Sequence, residues 1–159
     1  MRICEFSSQE SGSAIVELAF SLPIFVLLIL GGAEIANIAW ASVQLNNAAH
    51  AAAQYAAQQA ANAATSNNPV IEQVARNEAP ALTITFPTAP TQLCRCVTPS
   101  TGGETAYSCS TVQANCPSPN VILASIQVTA QAVVSPLVRY PGLPATYTLH
   151  AQATMGIAP

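Results

Sequence analysis

Sixteen residues without a charge separate Glu17 from Glu34, inside the stretch GSAIVELAFSLPIFVLLILGGAEIANIAW from Gly12 to Trp40. No other feature limits the possible folds as much. As a helix, the 23 residues from Leu18 to Trp40 reach about 35 Å, against a hydrocarbon core of about 30 Å. Pro23 falls inside this run, where the missing N–H leaves one carbonyl unpaired and favours a kink. Gly31 and Gly32, followed by Ala33, form a smooth patch that suits either a flexible joint or close helix packing. Trp40 suits a membrane interface. The segment therefore reads as a membrane-spanning helix, with the rest of a 159-residue chain hung from its far end.

Glu17 is the costly residue. An acid at mid-bilayer costs on the order of 2.5–3.5 kcal/mol, and less near the interface. One account has it snorkel to the headgroups. Another supplies a partner: cleavage after Gly12 would free the α-amine of Ser13, which could pair with Glu17 of the same or a neighbouring chain. The leader, residues 1–12, sets Arg2 and the terminal amine against Glu5 and Glu10. It lacks the cationic excess of an ordinary signal peptide. The nearest basic residue beyond the run is Arg76, so charge asymmetry does not fix orientation.

Gly12, four residues, Glu17 and an apolar run resemble the prepilin-peptidase site of type IV pilins and pseudopilins. The longer string is similar to the TadE-like family of the tight-adherence (Tad/Flp) pilus and secretion systems. The matching positions are Val16-Glu17-Leu18-Ala19, Pro23, Gly31 with Glu34, and Asn47-Ala48-Ala49. Leu18 stands where an aromatic is common, and the Arg that often follows the second Glu is missing. The resemblance returns in the strands over 121–157. It implies a structural, pseudopilin-like protein of the bacterial inner membrane, crossing once, with a cytoplasmic N-terminus. The head would be periplasmic, pilus-associated or on the cell surface. Implied partners are a prepilin peptidase, other pilins or pseudopilins and the inner-membrane assembly platform. Gly12 and Ser13 would be the scissile pair. Glu17, Pro23, Gly31, Gly32 and Glu34 would serve helix pairing and assembly, although Glu34 has no basic partner that the sequence reveals.

Beyond Trp40 the helix continues. Eleven of the 17 residues from Ala48 to Ala64 are Ala, the best helix former and a small one. Thr65 to Asn68 end it, and Asn68 can cap a second helix that opens on Pro69 and presents Val70, Ile71, Val74 and Ala75. Alternation predicts a strand over Leu82–Phe86, and further strands over Val121–Ser135 and Thr146–Met155 joined by Tyr140–Pro144. Residues 91–120 read as a cysteine-bearing loop with a turn at Gly102-Gly103. The expected fold is α+β and pilin-like: a long N-terminal helix, a short helix and a small antiparallel sheet. The expected divisions are a leader at 1–12, a membrane-spanning and Ala-rich helix at 13–66, and a disulfide-tied head at 67–159.

Cys94, Cys96, Cys109 and Cys116 lie within 23 residues, while Cys4 falls in the leader. Their C-x-C-x12-C-x6-C spacing fits zinc knuckles poorly and disulfides well, which points to an oxidising compartment. A bridge between Cys94 and Cys96 would strain a short ring. Of the two remaining pairings, the nested one, Cys96 with Cys109 and Cys94 with Cys116, suits a hairpin-like loop.

The chain has four Arg, no Lys and no Asp, so it offers neither a nucleic-acid footprint nor a Ser-His-Asp constellation. The glutamates are dispersed, His50 and His150 stand apart, and no phosphate-cradling glycine motif occurs. No enzyme activity, cofactor, metal site or small-molecule substrate is expected. Two other readings compete with the pilus component. In one, Ala39-Trp40-Ala41 is a signal-peptidase site that releases a soluble binding domain from Ser42. In the other, an uncut anchor holds a periplasmic interaction module.

Overall fold

The computed structural model describes residues 10–59, 69–139, 142 and 144–157. Cys4, the helix stop at 65–68 with its Asn68 cap, and Tyr140, Pro141 and Leu143 of the last connection lie outside them. Helix α1 runs unbroken over Glu10–Gln58, 49 residues that include Pro23. At 1.5 Å per residue it is about 73 Å long. Its apolar stretch is long enough to cross a membrane, with a mean hydropathy of 2.4 in the best window. Helix α2 covers Pro69–Glu78. Ile71 and Ala75 are its buried face, with Val74 half-buried, whereas Val70 turns outward. The buried set recurs every four residues, and Val70 lies one position off that stripe.

Five antiparallel strands form one sheet: β1 Ile84–Thr85, β2 Thr91–Thr98, β3 Gly103–Tyr107, β4 Val121–Val134 and β5 Tyr147–Ile157. Strand β4 is the spine. Its first half pairs with β2 and its second half with β1 along one edge, while β5 pairs along the other from Ala124–Ile157 to Val134–Tyr147. Strand β3 lies outside β2. This is the expected α+β arrangement with one more hairpin.

The core lies between α1 and the sheet. On β4, Ile126, Val128, Ala130, Ala132 and Val134 alternate inward as their spacing predicts, and Ala151 and Ala153 do so on β5. Facing them, α1 presents Ala41, Leu45, Ala48, Ala49, Ala52, Ala53 and Ala56. Six of these seven are Ala, so the helix backbone comes close to the strands. Helix α2, with Ala79 behind it, and β1 close the side.

Three expectations change. The strand over Leu82–Phe86 shrinks to Ile84–Thr85. Leu82 N–H instead donates to Ala79 O at 3.0 Å in a turn, and Pro87 closes the other end. The loop over 91–120 is largely ordered as the β2–β3 hairpin and a one-turn helix α3, Val112–Asn115. Its alternation is disguised, because Cys94 and Cys96 act as the small inward residues and Arg95 points out.

The disulfides, third, are Cys94–Cys109 and Cys96–Cys116, with Cα–Cα separations of 5.0 and 5.5 Å, rather than the nested pairing. Hairpin register decides this. Cys94 faces Tyr107 and Cys96 faces Thr105, so Cys109, two residues beyond Tyr107, falls at the Cys94 end. Helix α3 then brings the chain back and delivers Cys116 to Cys96. With Val112 and Tyr107 these bridges form a second small core, on the sheet face that α1 covers elsewhere.

Candidate assembly site on the long helix

Burial divides α1 at one residue. From Ser13 to Ala33 every side chain except Ser21 is exposed, including Phe20, Phe25, Leu28 and Ile29. From Glu34 onward a stripe recurs at helical spacing, Glu34, Asn37, Ile38, Ala41 and Leu45, and lies against the head. In water the bare half would be an untenable apolar surface, so it calls for lipid or for other helices. Gly12 and Ser13 sit in the first turns of α1, and Glu17 is exposed one turn further on. Ser21 Oγ donates to Glu17 O at 2.9 Å and also reaches Leu18 O at 3.3 Å, next to the helical turn that Pro23 deprives of an N–H.

Gly31 and Gly32 are helical and are not a joint, and a Cβ built on either would meet nothing within 4 Å. Glycine costs helix stability relative to alanine. Packing within this chain does not require it at either position.

Glu34 has an unexpected partner. Its Oε2 accepts the backbone N–H of Leu137 at 2.8 Å, across 103 residues of sequence, and its Oε1 is buried without a hydrogen-bond partner. The acid is thus met by a main-chain amide at the end of β4 rather than by a cation. The one local signal is Pro136. It stops the strand ladder and leaves the next amide in need of an acceptor.

Elsewhere the head offers little chemistry. Arg95 Nη1 and Glu104 Oε2 pair across β2 and β3 at 2.8 Å, largely in solvent, beside an open groove of about 620 Å³ at the end of the sheet remote from Glu34. His50 and His150 are exposed. Among the described residues no group of three or more His, Cys, Asp or Glu is gathered to hold a metal.

Compared with protein families, residues 12–54 match the family described as TadE-like protein. Over that segment the N-terminal helix is similar to the TadE-like family. The matched TadE-like segment starts at Gly12 and takes in the bare half of α1, Glu34 and most of the alanine stripe. It stops before the sheet. The match associates the chain with Tad pilus systems, whose TadE-like proteins are structural components. No curated protein and no solved structure matches the chain.

Proposed function

We propose that this chain is a pseudopilin-like structural component of a Tad-type pilus assembly and secretion machine. A prepilin peptidase cleaves it after Gly12, and it acts through helix packing with other pilins and with the inner-membrane platform. The observation that carries this reading is the coincidence of the TadE-like segment with the bare half of α1. A helix with no intramolecular cover over Ser13–Ala33, an acid at Glu17 and two glycines that its own fold does not need is suited to lying among other helices in lipid. Cleavage would leave Ser13 with a free amine one turn from Glu17, and that pair can set register between neighbours. Residues 1–12 are then a cytoplasmic leader, 13–66 the anchor and its extension, and 67–159 a periplasmic head. The disulfides of that head suit an oxidising compartment.

Release of a soluble domain at Ala41 is disfavoured. That residue is 4% exposed in the core, and the helix runs through it without a break.

Mass spectrometry of the mature N-terminus tests the proposal. A chain beginning at Ser13 is expected, and Gly12→Ala should accumulate the longer form. A start at Ser42 would sink the proposal, and an intact Met1 would leave only an uncut anchor.

A further inference from the structure

We infer that the loop after β4, Ser135–Arg139, is a membrane-docking surface that rests on the lipid leaflet from which α1 emerges, with Glu34 marking the bilayer edge. This rests on the reading of α1 as a membrane anchor. From Ser13 to Ala33 is 21 residues, about 32 Å of helix, just enough to cross a core of about 30 Å. Burial against the head begins at the next residue. The 2.8 Å bond from Leu137 N–H to Glu34 holds the loop at that level, so the loop must meet the lipid surface.

Its chemistry fits such a place. Leu137, Trp40 and Val133 are 63%, 66% and 52% exposed around one groove, a cluster that water would penalise and acyl chains would cover. Trp40, Val133 and Leu137 share an open groove of about 290 Å³ with polar Asn37 and Gln44, the mixture expected at headgroup level. Arg139 is exposed and, among the described residues, in no ion pair, which leaves it to lipid phosphates. The loop backbone beside Glu34 is also suited to lipid. Irregular backbone at membrane depth needs its donors satisfied. Pro136 has no N–H, and the next one, on Leu137, is held by Glu34.

The test uses the full chain in phosphatidylcholine–phosphatidylglycerol vesicles whose acyl chains are brominated near the carbonyl or near the methyl end. Trp40 is the sole tryptophan and reports directly. A Leu137→Trp variant in a Trp40→Phe background reports on the loop, and Phe25→Trp in that background reports on the anchor. Both Trp40 and Leu137→Trp should lose fluorescence mainly to the carbonyl-end bromines, and Phe25→Trp to the methyl-end ones. Adding Glu34→Ala should abolish the quenching of Leu137→Trp and leave that of Phe25→Trp. An unquenched Leu137→Trp beside a quenched Phe25→Trp overturns the inference and leaves the anchor intact. If emission instead follows the protein-to-lipid ratio, a second copy covers the loop, which also overturns it. Should Phe25→Trp be unquenched, the anchor reading itself falls.

Discussion

At Glu34 one carboxylate joins the two ends of the fold, tying the helix at the end of its bare half to the end of strand β4. Hydrogen bonds to charged groups contribute about 1.5–3 kcal/mol, so Glu34→Ala should speed hydrogen exchange at the Leu137 amide by about tenfold or more. Glu34→Gln keeps an acceptor and should have a smaller effect. Unchanged exchange in Glu34→Ala would show that the bond does not protect this amide in solution. Glu17 is a different case. It is exposed, and its carboxylate has no hydrogen-bond partner among the described residues, so its demand for a partner is left to another chain or, under the proposed cleavage after Gly12, to the amine of Ser13.

Helix α1 is one element with two environments, and alanine is what the head-facing half requires. Ala52 is fully buried in the core that α1 forms with the sheet and helix α2. Replacing it with Leu would insert three heavy atoms where the backbones are close and should cost about 1–3 kcal/mol, lowering the melting temperature of the full chain in detergent. Gln54→Leu, on the exposed side, should change stability by no more than about 0.5 kcal/mol. A melting temperature equally indifferent to both changes would contradict the packing of α1 on the sheet.

The β2–β3 hairpin is likewise defined by its bridges. Peptide mapping of the unreduced protein should recover Cys94 joined to Cys109 and Cys96 joined to Cys116. Recovery of Cys96 with Cys109 would contradict the hairpin register. The bridges span 15 and 20 residues, so removing one through Cys94→Ser with Cys109→Ser should cost about 3 kcal/mol in chemical denaturation.

For the whole molecule, the proposed function has folding and assembly make separate demands on the same helix. Gly31→Leu with Gly32→Leu adds side chains whose Cβ atoms meet nothing within 4 Å in this chain, so the melting temperature should hold or rise. If those glycines pack against other pilins, co-purification with pilus components should fall sharply in the same variant. Normal assembly would remove the glycine patch from the contact surface.

What local pattern determines was legible in the residues. Sixteen uncharged residues between two acids specify a long apolar helix, alanine enrichment extends it, and period-two alternation places β4 and β5 with their inward faces. Pairing between distant segments was not legible. Cys94 and Cys96 look like loop residues until β3 pairs with β2, and only that register decides which cysteine lies near which. Glu34 looked partnerless because the expected partner was a cation, whereas a carboxylate is as well served by a free backbone N–H. Its donor, 103 residues away, is made available only when β4 ends at Pro136 and the sheet packs on the helix. Periodicity is a property of neighbours in sequence and can be read from them. Register and the supply of unsatisfied main-chain groups arise from contacts between segments, and the tertiary structure alone decides those.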